Sequence, residues 1–379
     1  MGRVVSILII LFFILTGNIP FQKGGQLFFA SSFRPDKVKT TSKILIHFND
    51  SIPDDSLTIY FSITGDPEAF SRNIHTAVCI DTLCRLLDIT LYWETTGKYL
   101  GYSLPPGEEI TKKEHTPFSE GDYTRLTEIL SDSSSQLGYY TMGEIHPAKK
   151  LVVQTDGISG ATIPDLAPWI VPEAAYTSYT LWHLTYGATR DSIMAYTKNK
   201  LITIQLLNNY LQNSDPYNQV KALQWISETK QTCIPFIAPA LHILHSGNYS
   251  ASGQALRFLK NSGIDEERLK KEVIHLFDSE DFRIKNAAIE YFRSTDELTQ
   301  PVAREMMTRL KSDNYYLVNI ILSILEKKYK PDHEDQLNLC LLLESKNTSV
   351  ANRVYNFLLN LPQQSPDVAK QLRRYEKKN

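Results

Sequence analysis

Residues 222–226 read ALQWI, and the pattern returns as ALRFL at 255–259, AIEYF at 288–292, ILSIL at 321–325 and VYNFL at 354–358. Each copy begins 33 residues after the one before. A small or aliphatic residue leads: Ala222, Ala255, Ala288, Ile321, Val354. Offsets of one, three and four then place apolar side chains on a single helix face. The same period picks out a second helix through Ala240, Val273, Met306 and Leu339, and through Leu244, Phe277, Leu310 and Leu343. A fixed period of this length predicts an α-solenoid of paired helices over 188–379, each unit burying its face against the next. Between units stand Ser214, Ser246, Ser279, Ser312 and Ser345, and these serines and the acids beside them are candidate helix N-caps. Cys340 takes the place of Leu241, Ile274 and Met307 in other units and reads as a core residue.

Neither the ankyrin nor the tetratricopeptide signature is present, and by elimination the units resemble HEAT-like repeats. The first half has a different rhythm. KILIHF (43–48) and LTIYFSI (57–63) are β-branched and aromatic, as strands are. DITLYWETTGKYLGYSL (88–104) reads as two strands around a turn at Thr96-Gly97, and KKLVVQT (149–155) as another strand. In TPFSEGDYTRLTEIL (116–130), Ser119 is placed to cap a helix and Asp122 to close a capping box. The expected fold class is an α+β domain over 34–187 followed by an all-α solenoid over 188–379.

At the start, Arg3 precedes an unbroken apolar or small run from Val4 to Leu15. A basic residue before an h-region of this length points to a signal peptide or N-terminal anchor over 1–33, and to a protein exported to the periplasm or the outer face of the cytoplasmic membrane. The run is shorter than the ~20 residues of a spanning helix. Hydrophobic content of 42% and charged content of 22% are ordinary for a globular chain, and a net charge of −2 gives no attraction for nucleic acid. Four cysteines are too few for a disulfide-stapled mini-domain.

Between the expected strand at 149–155 and the helical half lies DGISGAT, residues 156–162. Asp156-Gly157-Ile158-Ser159-Gly160-Ala161-Thr162 resembles the Asp-x-x-Ser/Thr-Gly-Ala-Thr motif of the FMN-binding domain family, found in subunits of sodium-pumping NADH:quinone oxidoreductases and Rnf-type complexes. The resemblance is firm only at these seven residues and extends in layout over roughly 40–187. It implies that an exported flavin transferase joins FMN to Thr162 through a phosphoester. It also implies that Asp156, Ser159, Gly160 and Ala161 form the cofactor-binding turn. The residue types suit that chemistry. A hydroxyl takes the phosphate, Gly160 lets a bulky donor approach, and Ala161 leaves the acceptor uncrowded. Ile163-Pro164-Asp165 departs from the family, whose members often carry a further hydroxyl there.

Other readings remain open. DGISGAT also suits a tight turn in which Asp156 and Ser159 bond their own backbone. Gly157-Ile158-Ser159-Gly160-Ala161 nearly spells a hydrolase nucleophile elbow, but helical repeats follow it, not an α/β half, and His183 reads as a packed helix residue. Cys79 and Cys84 are candidates for a disulfide, two buried thiols or a redox pair, and no metal site is expected. Tyr179, Trp182 and Tyr186 stand at helical spacing and read as core more than as a flavin-stacking face. EEITKKEH (108–115) reads as a charged surface loop. The sequence thus points to an extracytoplasmic electron-transfer flavoprotein whose repeats hold a redox or protein partner, with membrane association through the N-terminus. The alternative is an exported scaffold in which the motif is a structural turn.

Overall fold

The computed structural model describes residues 25–48, 53–78, 86–112, 115–145, 164–229, 233–312 and 314–378. Packing divides the chain into two units, Met1–Lys200 and Leu201–Asn379. An antiparallel sheet with helices forms the first, and the second is helical.

The sheet contains β1 (Gln26–Phe29), β2 (Thr40–Ile46), β3 (Asp55–Phe61), β4 (Pro67–Thr76), β5 (Leu87–Glu94) and β6 (Tyr99–Leu104). Its order is β1-β6-β5-β4-β3-β2, all neighbours antiparallel. It is therefore a meander from β2 to β6, with β1 closing the far edge. The turn expected at Thr96-Gly97 joins β5 to β6. Gly97 sits at φ +81, and a Cβ there would meet the Met194 side chain at 2.8 Å. The period-two alternation in β5 sends Ile89, Leu91 and Trp93, each fully buried, to one face. Four helices follow: α1 (Glu120–Ser131), α2 (Met142–Ile145), α3 (Ala175–Tyr186) and α4 (Ala188–Tyr196). On the face they cover, Trp93 Nε1 donates to the Thr185 carbonyl at 2.8 Å, and Phe28 stacks between Tyr102 and Tyr123. On the opposite face Phe29, Phe33 and Tyr60 pack against Ala69, Tyr92 and Leu100.

Two elements run against the sequence reading. β1 lies inside the stretch assigned to a leader or anchor over 1–33, and it pairs with β6 from Gln26↔Leu104 to Phe29↔Gly101. β4 was not expected at all. It carries Arg72 in its middle, and there Arg72 bonds Asp55 at 2.8 Å and Thr189 at 2.8 Å and covers the Phe48 ring at 4.4 Å. The stretch 108–115 also differs from the surface loop expected of it. Glu108 and Ile110 are buried, the Ile110 N–H donates to Tyr123 Oη at 3.1 Å, and Lys112 pairs with Asp122 at 2.8 Å. The capping box at the start of α1 forms as its spacing implies, with Ser119 and Asp122 exchanging bonds. Burial opposes the Asp122 charge, but Lys112, the Ser119 hydroxyl and the Ser119 N–H outweigh it and hold the carboxyl below the usual carboxylate range.

The helical unit runs through α5 (Ile204–Gln212), α6 (Pro216–Glu228), α7 (Ile237–Leu244), α8 (Tyr249–Lys260), α9 (Glu266–Ile274), α10 (Phe282–Ser294), α11 (Gln300–Met307), α12 (Tyr315–Lys328), α13 (His333–Cys340), α14 (Thr348–Leu359) and α15 (Pro366–Lys378). The recurring positions are its core. Ala222, Ala255, Ala288, Ile321 and Val354 lie on α6, α8, α10, α12 and α14, all buried. Ala240, Val273, Met306 and Leu339 are buried on the intervening helices α7, α9, α11 and α13. Cys340 is buried in α13, and that burial raises its thiol pKa.

The interunit serines do not cap the helices. The caps are Asp215, Asn248, Asp281, Asn314 and Asn347, each accepting from an N–H of the first turn. The residue two places earlier accepts from the cap's own N–H: Asn213, Ser246, Ser279, Ser312 and Ser345. At the first of these turns, before α6, the residue is Asn213, not Ser214. The reason is geometric: a side-chain oxygen reaches the N–H two or three residues on, so the inner residue meets the helix and the outer one holds the turn. Buried polar side chains tie one unit to the next, Lys270 Nζ to the Glu297 carbonyl at 3.5 Å and Gln336 Nε2 to the Gln363 carbonyl at 3.1 Å. Among the described residues no helix is long and apolar enough to cross a membrane.

Asn314→Ala is expected to cost about 1 kcal/mol of helical-unit stability, read as a lower urea midpoint by circular dichroism. Ser312→Ala should cost less. For Asp122 the folded-state pKa lies below its unfolded value, so its stabilisation is present above about pH 3.9 and is lost as pH falls through the lower folded value. In Lys112→Met an NMR titration should show the Asp122 pKa move upward.

Candidate functional site

Asp156, Ser159, Gly160, Ala161 and Thr162, the strand expected at 149–155, and both Cys79 and Cys84 lie outside the described residues. Of the described residues that flank these segments, α2, Val78 and Val171 meet α3. Upstream of the motif, α2 packs against α3 and ends at the buried Ile145. The Thr141 N–H and hydroxyl both donate to Glu144 Oε2 at 2.7 Å, and these bonds lower the Glu144 pKa. Downstream, a 3-10 turn over Pro164–Trp169 begins two residues after Thr162. Its Pro168 carbonyl accepts from Arg125 of α1. Leu166, Ile170 and Val171 are then buried.

Two adjacent hydroxyls on the first turns of α3 fix these flanks. Ser178 Oγ accepts from the Val171 N–H at 2.9 Å and donates to the Ala174 carbonyl at 2.9 Å. Thr177 Oγ1 donates to the Val78 carbonyl at 3.1 Å, one residue before Cys79. All four residues, Val78, Val171, Thr177 and Ser178, are buried. One turn of α3 therefore receives both the end of β4 that leads to the cysteine pair and the chain that returns from the motif. The reading of the sequence passed over Thr177 and Ser178. The available signal was a Thr-Ser pair opening an otherwise apolar, aromatic helix, where an unbonded hydroxyl would be costly.

The aromatic face of α3 is structural. Trp182 Nε1 donates to the Asp132 carbonyl at 2.9 Å, and Tyr186 Oη to the Leu130 carbonyl at 2.7 Å, so both tie down the C-terminal end of α1. Gly138 lies under Trp182, where a Cβ would approach the ring to 2.9 Å. His183 Nε2 bonds the Leu137 carbonyl at 3.1 Å, and the ring packs against Tyr179. Burial lowers the His183 pKa, partly offset by that carbonyl, to which Nε2 donates its proton. That engagement gives no support to a hydrolase role for His183. Among the described residues no group of three or more His, Cys, Asp or Glu side chains is placed to hold a metal ion.

No family model, curated protein or solved structure matches this chain.

Ser178→Ala leaves the buried Val171 N–H without an acceptor, at an expected cost of about 1–3 kcal/mol. The first unit should melt earlier, and the Val171 amide should exchange faster in hydrogen-exchange measurements.

Proposed function

We propose that this chain is an exported flavoprotein that carries FMN on Thr162 through a phosphoester and serves in electron transfer. In this reading the first unit is FMN-binding-like. The second is HEAT-like and holds the redox partner. The observation that carries it is the run Asp156-Gly157-Ile158-Ser159-Gly160-Ala161-Thr162, which meets the family motif at all its fixed positions.

The side chains present suit the group. Attachment forms a bond from Thr162 Oγ to the FMN phosphorus as the bond to the donor's leaving group breaks, and the hydroxyl proton is lost. Gly160 and Ala161 present no bulk to a donor approaching that hydroxyl. When bound, the flavin supplies two-electron redox chemistry. The protein's part is to hold it, and on the two sides of the run α2 packs on α3 and Val171 bonds Ser178 of α3. Export rests on Arg3 and the apolar run to Leu15.

A second reading, a scaffold that carries no flavin, draws on one observation. After Thr162 come Ile163 and Pro164 in place of a further hydroxyl, and Pro164 starts a 3-10 turn. The intact mass of the full chain, co-expressed with a flavin transferase of demonstrated activity, separates the two. A gain of one FMN unit that is absent from Thr162→Ala is expected. An unmodified mass would overturn the flavin reading and leave the run as a structural turn.

A further inference from the structure

Helix α15 carries five cations in steps of three and four: Lys370, Arg373, Arg374, Lys377 and Lys378. That spacing sets them on one strip of the helix surface, and all five are exposed. At 1.5 Å per residue the strip is about 12 Å long. Val368 and Leu372, on the opposite side, are buried. Leu372 falls 33 residues after Leu339 and so continues the core positions of α7, α9, α11 and α13. The helix packs on α13 and α14, and bonds to α14 pin its rotation. The Tyr375 ring stacks on Tyr355 at 5.3 Å, Tyr375 Oη donates to Asn352 Oδ1 at 2.8 Å, and Glu376 accepts from Tyr355 Oη. The cations therefore face away from the helices that hold α15.

The acids near the strip do not neutralise it. Among the described residues none of the five cations has an ion pair. Other outward cations of the unit are matched: Lys270 and Lys271 of α9 pair with Glu266 and Glu267 at 2.6 and 2.9 Å, and Arg309 pairs with Asp278 and Glu305. Helix α14 has no acid. The acids of α13 and its cap, Asp332, Glu334 and Asp335, are bonded to Arg304, and Glu344 in the turn between α13 and α14 is offset in charge by Lys346. With Glu376 held by Tyr355, Asp367 alone remains against five cations. Solvent asks only that an outer face be polar, and mixed charges meet that need; a face of one sign selects an anion. The strip holds no exposed large apolar side chain. A specific protein interface needs such an anchor at its centre, and a single-stranded nucleic acid needs rings on which its bases stack. Cations alone, on long side chains, suit a diffuse anionic plane. The apolar run after Arg3, read as a leader or anchor, brings the chain to a bilayer.

We propose that the basic strip of α15 rests on the headgroups of an anionic lipid bilayer, by charge and without insertion, since the apolar side of the helix is buried within the unit. This assignment is independent of whether Thr162 carries flavin. The test is flotation of the full chain with vesicles of phosphatidylglycerol and phosphatidylcholine in equal parts, beside vesicles of phosphatidylcholine alone. Binding is expected to the mixed vesicles and should fall as salt is raised, because the attraction acts over a Debye length of about 8–10 Å. Each cation near an anionic surface contributes about fivefold in partitioning, so Arg373→Gln with Lys377→Gln should weaken binding about twenty- to thirtyfold, with unchanged circular dichroism. Lys260→Gln with Lys311→Gln removes the same charge from exposed sites elsewhere on the unit and should leave binding unchanged. Equal binding to phosphatidylcholine alone would overturn the proposal and assign the contact to the apolar run after Arg3. So would equal losses from the two variant pairs, indifference to the α15 pair, or binding of a duplex oligonucleotide or of polyglutamate with none to vesicles.

Discussion

A helix pressed against a sheet must find a partner for each polar group it takes out of water, and α3 organises the first unit by doing so. Trp93 reaches up from β5 to its Thr185 carbonyl. From α3 itself, Thr177 and Ser178 hold Val78 and Val171, while Trp182 and Tyr186 hold the end of α1. A neutral hydrogen bond contributes only about 1 kcal/mol net, but an orphaned buried group costs more. The set therefore works chiefly by excluding other placements of α3. With α3 fixed, the end of β4, the end of α1 and the chain returning from residues 146–163 are fixed with it.

The helical unit depends on a different device. Its apolar positions repeat, and so do the polar residues that begin its helices. Cap and outer turn residue recur together from Asn213 and Asp215 to Ser345 and Asn347. The pair sets where each helix starts, and the start sets which residues reach the buried face. Buried Lys270 and Gln336 then hold the loop of the following unit at equivalent places. Each cap bonds the first turn of its own helix, so a fault in one cap is felt first by that helix.

Much of this was legible in the sequence because it rests on periodicity. The apolar face of α6, α8, α10, α12 and α14, the capping box of α1 and the turn at Gly97 all follow from spacing or from a residue with special backbone freedom. β4 was not legible, because a strand signal needs alternation and Arg72 interrupts it. Only the tertiary partners Asp55, Thr189 and Phe48 make an arginine acceptable there. β1 was hidden by its closeness to an apolar leader-like run, and 108–115 by its charges, since Glu108 is buried and Lys112 is paired with Asp122. The seven-residue run is legible as a pattern of residue types alone, while Ser178, which bonds the chain after it at Val171, carries no motif.

Arg72 also bears on how the sheet reaches one pairing. A strand that slips by a single residue turns every side chain to the opposite face. For an apolar strand against an aromatic neighbour the loss is gradual, since other greasy contacts replace those given up. For β4 the slip would carry the guanidinium away from Asp55 and Thr189, both of which wait on one side only. A misaligned meander would give up both bonds and the ring contact with Phe48 at once. The residue that obscures the strand in the sequence is thus the one that proofreads its alignment as the chain folds.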